Sequence, residues 1–202
     1  MSIKVLIAED YPPMRVALRR FLETNADIEI VGEAPDGQEA VRQCLKSKPD
    51  VVTMDVRMPG VDGIQATWQI IRLRPRVAIL AVSGETELWC VDKMFAAGAS
   101  GYILKDFLCE DLEAAIRTLA CGRAFLGHLV VDKVLDHVIH DGDPLAPREA
   151  AVLRGLAQGR SLEQITLDLR LTGNAIRQTL RSIGQNASTS AIGRLISRME
   201  TE

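Results

Sequence analysis

The stretch "VVTMDVRMPGVDG", residues 51–63, decides the fold. Four mostly apolar, β-prone residues run into Asp55, and Met58-Pro59-Gly60 breaks the chain three residues later. An uninterrupted apolar run of this length suits a strand covered on both faces. Pro and Gly just behind it are turn formers. The strand therefore ends on a carboxylate at the mouth of a loop. Open parallel sheets bind their ligands there, beyond the carboxyl ends of the strands.

Working outward, four more runs of the same kind appear: "IKVLIA" (3–8), "IEIVGEA" (28–34), "VAILAVS" (77–83) and "GYILK" (101–105). Segments with helical spacing separate them. Met14, Val16, Leu18, Phe21 and Leu22 mark one helix, and Ala40, Val41, Cys44 and Leu45 another. Ile64, Trp68 and Ile71 mark a third, Leu88, Val91, Met94 and Phe95 a fourth, and Leu112, Ala115, Ile116 and Leu119 a fifth. Trp68 and Trp89 read as helix residues packing on the sheet. Five such repeats predict an α/β fold with a doubly wound, five-stranded parallel sheet between two helical layers.

Strands one, three, four and five end on chemistry: Glu9 and Asp10, then Asp55, then Ser83-Gly84, then Lys105. One acid at a strand end is ordinarily solvated, but five such groups at carboxyl ends of strands form a constellation. Converging carboxylates raise one another's pKa unless a cation sits among them. Oxygen ligands without His or thiolate favour a hard ion, and Mg²⁺ is the expected one. A lysine and a hydroxyl beside it suit a phosphoryl group. The predicted chemistry is phosphoryl transfer onto Asp55, with Ser83 donating to a phosphoryl oxygen and a backbone carbonyl near Arg57 facing the metal. Gly84 leaves room for the incoming group.

These residues resemble the receiver domain of two-component response regulators. The likeness rests on Glu9-Asp10, "MDVRMPGVDG" (54–63), Ser83 and "AGASGYILKD" (97–106). It implies a flavodoxin-like fold with Asp55 as phosphoacceptor and a metal held by Glu9, Asp10, Asp55 and the Arg57 carbonyl. It further implies that Ser83 and Lys105 contact the phosphoryl group, that Tyr102 is the aromatic that turns inward with Ser83, and that a histidine kinase or acetyl phosphate is the donor. Such a protein catalyses only its own phosphotransfer and dephosphorylation.

Residues 125–144 contain the turn cluster "DGDP" and read as a linker between a receiver domain at 1–124 and a small all-α domain at 145–202. In the last segment Val152, Leu153 and Leu156 mark a helix stopped near Gly159. Ser161 and Gln164 form a capping box for the next helix, whose core face is Ile165 and Leu169. Thr172 caps a third, with Ile176, Leu180 and Ile183 inward and Asn174, Arg177, Gln178 and Arg181 sharing the outer face. This is a helix-turn-helix pattern. "LAPREAAVLRGLAQGRS" (145–161) resembles the opening of LuxR-type domains, which makes the whole chain similar to NarL/FixJ-type response regulators. The resemblance implies double-stranded DNA with an inverted repeat as target, and pairing of the 188–200 helix in a homodimer formed on phosphorylation. The family's Thr-Val-Lys-x-His run is replaced by Ala175-Ile176-Arg177-Gln178-Thr179, and a later lysine by Asn186. Lost phosphate contacts change affinity in a salt-dependent way.

Composition bounds the alternatives. The chain has 202 residues, 47% apolar and 25% charged, the profile of an ordinary globular protein. Residues 1–124 hold 15 Lys and Arg against 18 Asp and Glu, whereas residues 145–202 hold 8 against 5. No apolar run approaches the roughly 18–20 residues of a membrane span, and no export signal is read at the N-terminus. The expected location is cytoplasmic. Cys44, Cys90, Cys109 and Cys121 form no C-x-x-C pair and read as reduced, buried or half-buried thiols. His128, His137 and His140 read as solvated linker residues. Two rival functions remain: a receiver whose C-terminal helices bind a protein instead of DNA, and a phosphohydrolase with an aspartyl nucleophile. The second lacks another acid placed for general catalysis.

Overall fold

The computed structural model describes residues 2–84, 88–127, 129–130, 147–157, 160, 162–171 and 175. Strands and helices alternate: β1 (Ile3–Ala8), α1 (Pro12–Glu23), β2 (Ile28–Ala34), α2 (Gly37–Ser47), β3 (Val51–Asp55), α3 (Gly63–Leu73), β4 (Ala78–Ser83), α4 (Leu88–Ala97), β5 (Gly101–Leu104), α5 (Leu108–Ala120) and β6 (Phe125–Leu126). A single 3₁₀ turn, Lys105–Phe107, joins β5 to α5. Further on, the described residues include α6 (Pro147–Ala157) and α7 (Leu162–Asp168). The strand order is β2-β1-β3-β4-β5-β6, and every pair is parallel.

Both faces of the sheet are covered, which explains the uninterrupted apolar runs. Leu6, Val52, Met54, Ile79 and Ala81 pack under α2, α3 and α4. Their neighbours Val5, Ile7, Val51, Leu80, Val82 and Ile103 point the other way, under α1 and α5. Aspartates open two of the helices: Asp36 Oδ1 accepts from Glu39 N at 2.8 Å, and Asp62 Oδ1 accepts from Gln65 N at 2.7 Å. Each satisfies one of the helix's orphan donors.

The structure corrects the sequence reading in four places. The sheet has six strands, not five. Gly101 and Tyr102 pair with Phe125 and Leu126, at the start of the segment read as linker. Two residues are too few to show a period, so only pairing reveals them. Trp68 and Trp89 do not pack on the sheet; each is 52% exposed. The buried stripe of α3 is Gly63, Ala66, Thr67 and Ile70, which turns Trp68 outward, where its ring lies 4.5 Å from the Arg72 guanidinium carbon. Val16 and Leu45 are likewise exposed at the flanks of their stripes.

The fourth correction concerns the thiols. Only Cys44 and Cys90 are buried, while Cys109 and Cys121 are exposed on and just after α5. Burial pushes the Cys44 thiol up to about 11, which removes its thiolate at ordinary pH. A disulfide reagent at pH 8 is therefore expected to label Cys109 and Cys121 quickly, and Cys44 and Cys90 only on unfolding. Four equally fast thiols, counted by mass spectrometry, would contradict this packing.

In α6 and α7, Val152 and Ile165 are buried as expected, and Leu169 just after them packs on the same core. The other expectations for the C-terminal part lie outside the described residues. These are His128, His137 and His140, the Ser161 and Thr172 caps, the outer-face residues Asn174, Arg177, Gln178 and Arg181, and the 188–200 helix.

Candidate functional site

The site is built where β1, β3, β4 and β5 end. Glu9 follows β1 and is buried, at 1% exposure; Asp10 beside it is half-buried. Asp55 is the last residue of β3 and is buried, at 5% exposure. One carboxylate oxygen from each of these three acids lies within 4.8 Å of the others. Lys105, the first residue after β5, reaches across the sheet edge. Its Nζ donates to Asp55 Oδ2 at 2.7 Å and to Glu9 Oε1 at 3.0 Å, with Glu9 Oε2 at 2.8 Å. The other Asp55 oxygen, Oδ1, accepts from the backbone N of Arg57 at 3.1 Å, while the Arg57 side chain is exposed.

Ser83 ends β4, buried, and its register partner on β5 is Leu104. Tyr102 is fully buried in the core cluster that also holds residues of α2, α3 and α4. The β3–α3 loop is closed from two sides. Gly63 N donates to Val56 O at 3.0 Å, and Gly37 N to Val61 O at 3.1 Å. A Cβ on Gly63 would stand 2.0 Å from the Asp55 carbonyl oxygen, and one on Gly37 2.2 Å from that of Val61. Gly37 opens α2 and was not singled out in the sequence; nothing local shows that another loop's backbone touches it. Arg15 is a second residue that the motifs omit, and its guanidinium Nη1 donates to Glu9 O at 2.8 Å.

The electrostatics follow from this crowding. Burial raises the Glu9 pKa above the usual carboxylate range; the Lys105 hydrogen bond pulls it back and the Asp55 charge pushes it up again. Burial opposes the Lys105 charge, but its hydrogen bonds to Asp55 and Glu9 prevail and raise its pKa. A raised carboxylate contributes stability that is fully present below the unfolded pKa and is lost as pH rises through the folded one. Lys105 offsets that loss near neutrality. Lys105→Met is therefore expected to destabilise the protein by about 2–4 kcal/mol at pH 8, and by less at pH 5, because acid favours the neutral form of Glu9, whose pKa burial raises. Thermal melts at the two pH values check this; an equal loss at both would mean that Lys105 supplied only packing.

The donor set suits a hard cation. It consists of three carboxylates with no imidazole or thiolate among them. Glu9 Oε2 is buried and takes no well-directed hydrogen bond, although the ammonium is near. Mg²⁺ thus fits the residues present.

Comparison with known proteins gives the family. The family model of the response regulator receiver domain matches residues 5–117. Along nearly the whole chain the sequence is 34% identical to the transcriptional regulatory protein LiaR of Bacillus subtilis, over 187 residues that cover 90% of this chain and 89% of LiaR. The chain is a response regulator. Among solved structures, a LuxR-family response regulator from Aurantimonas aligns with a TM-score of 0.66 and 29% identity, covering 69% of this chain and 99% of that one. The RcsB response regulator of Salmonella typhimurium aligns with 0.63 and 26%, covering 93% of this chain and 92% of that one. Another RcsB structure, two dimers bound to two parallel DNAs, aligns with 0.61 and 25%, covering 90% of each chain. Matches along about nine-tenths of the chain make this response regulator one of the NarL/FixJ type. Among its described residues, no helix is long and apolar enough to cross a membrane.

Proposed function

We propose that this response regulator accepts a phosphoryl group on Asp55 and thereby controls DNA binding and transcription. The observation that carries the reading is the Lys105 ammonium 2.7 Å from Asp55 Oδ2, beside three acids gathered within 4.8 Å. An Asp55 oxygen forms the new P–O bond as the P–N bond of a phosphohistidine breaks. The imidazole leaves with the electron pair and takes its proton from solvent. Lys105 then pairs with the transferred group, and Ser83 donates to one of its oxygens. Glu9, Asp10, Asp55 and the Arg57 carbonyl would hold Mg²⁺, which supplies charge neutralisation at the phosphoryl oxygens.

The new charge draws Ser83 toward it and biases the β4–β5 face that contains Tyr102. The output is DNA binding by the C-terminal helices as a homodimer on an inverted repeat, with Asn174, Arg177, Gln178 and Arg181 as the contact residues. LiaR is a transcriptional regulator and RcsB dimers bind DNA, which supports this reading. The donor is a histidine kinase, acetyl phosphate being the small-molecule substitute. The protein turns over no external substrate beyond its own phosphorylation and dephosphorylation.

Capture and sequencing of fragmented host DNA tests the output, with and without acetyl phosphate and Mg²⁺ at one near-physiological salt. Enrichment of a shared inverted repeat, stronger with the donor, is the expected result. Uniform recovery of all fragments, or of none, would overturn specific DNA binding and direct the search to a protein partner.

A further inference from the structure

We propose that Arg15 is a positioning residue for the acid pair: it holds the peptide joining Glu9 to Asp10, so that both carboxylates stay aimed at Asp55. The assignment rests on the reading of Glu9, Asp10 and Asp55 as a divalent-cation site.

Three observations carry it. The Glu9 carbonyl, to which Arg15 Nη1 donates at 2.8 Å, belongs to the peptide from which both acids branch. The opposite side of Glu9 is tied by its own N–H, which donates to Ala34 O on β2 at 3.0 Å. Arg15 Nε lies 3.3 Å from Glu33 Oε2, also on β2. The guanidinium thus spans the end of β1 and the end of β2 as one planar fork, which a point charge cannot do. Its side chain is 19% exposed, so the bridge is largely withdrawn from solvent.

Local preference does not explain the residue. α1 starts at Pro12 and has no acid in its first turn; Arg15 sits at the end of that turn, where the helix dipole disfavours a cation. A cation there needs a tertiary reason, and Glu33 with the Glu9 carbonyl supplies it. Nor does Arg15 serve by attraction, since a positive charge beside a cation site weakens it. Its contribution is geometric. Groups that orient metal-binding residues typically affect metal affinity by about 10- to 100-fold.

A neighbour provides the control. Arg19 pairs with the same Glu33, and with Glu23 at 2.8 Å, but forms no hydrogen bond or ion pair with Glu9. Arg19→Gln therefore disturbs the α1–β2 surface while leaving the acid-pair peptide held.

The test is isothermal titration of Mg²⁺ into the full, unphosphorylated chain, alongside thermal melts. Arg15→Gln is expected to bind Mg²⁺ about tenfold more weakly than wild type. Arg19→Gln is expected to keep wild-type affinity even where its melting temperature falls as far. Arg15→Lys, able to reach one partner but not both, is expected to fall between, and decides the matter should Arg15→Gln fail to fold. Wild-type affinity in Arg15→Lys and Arg15→Gln, or an equal loss in Arg19→Gln, overturns the assignment alone. A wild-type protein without Mg²⁺ affinity removes the cation site and this role together.

Discussion

Asp55→Asn is expected to take up no acyl phosphate from acetyl phosphate and Mg²⁺, with a rate at least roughly 10³-fold below wild type. The asparagine keeps the size of the side chain and an oxygen for Lys105, but its neutral amide is a poor nucleophile. The loss therefore reports chemistry and not unfolding. The same substitution is expected to make DNA affinity indifferent to the phosphodonor. Hydroxylamine-sensitive phosphate, measured by intact mass, checks the first part, and binding titrations at fixed salt check the second. Glu9 and Asp10 lie close enough to serve as substitute acceptors. Incorporation that survives in Asp55→Asn would move the acceptor to one of them and overturn the assignment of Asp55.

The second large effect is structural. Gly63→Ala is expected to cost about 3 kcal/mol, lowering the melting temperature by roughly 10 °C, and to slow phosphorylation as well. Its Cβ would meet the Asp55 carbonyl oxygen at 2.0 Å, the Asp55 carbonyl carbon at 2.9 Å and the Val56 Cα at 3.0 Å. All three are backbone atoms, so no side-chain rotation relieves the clash. Either α3 lifts off its Gly63–Val56 hydrogen bond or the end of β3 moves, and the second choice displaces the nucleophile. Gly84→Ala is the control, because its Cβ would find nothing within 4 Å. Calorimetry on the two variants separates the cases. A Gly63→Ala protein as stable as Gly84→Ala and phosphorylated at the wild-type rate would show that the loop does not approach α3 this closely.

Much of this was legible beforehand. The apolar runs at 3–8 and 28–34 coincide with β1 and β2, and those around 51–55, 78–83 and 101–104 differ by one end residue. Strand ends were readable because an apolar run stops where the sheet stops, and Asp55, Ser83 and Lys105 mark those stops. In α5 all four stripe residues are buried as expected. In α3 only Trp68 departs from the expected packing: Ile64 and Ile71 are half-buried against the core, while the fully buried face is Gly63, Ala66, Thr67 and Ile70. Two small residues and a threonine make a flat face that lets the helix sit close, and large apolar residues then flank it.

The sequence by itself determined the order of strands and helices, the double burial of the sheet and the identity of the groups at its carboxyl edge. These follow from hydrophobic period and turn chemistry, which act between residues close in the chain. The tertiary structure alone decided that Lys105 bridges Glu9 and Asp55 across 96 and 50 residues of sequence. It also decided that Gly37 and Gly63 admit another segment's backbone, that Phe125 and Leu126 extend the sheet, and that Arg15 holds the peptide between the two acids. Each depends on the distance between elements remote in sequence, set by packing over the whole core, and no local pattern encodes that distance.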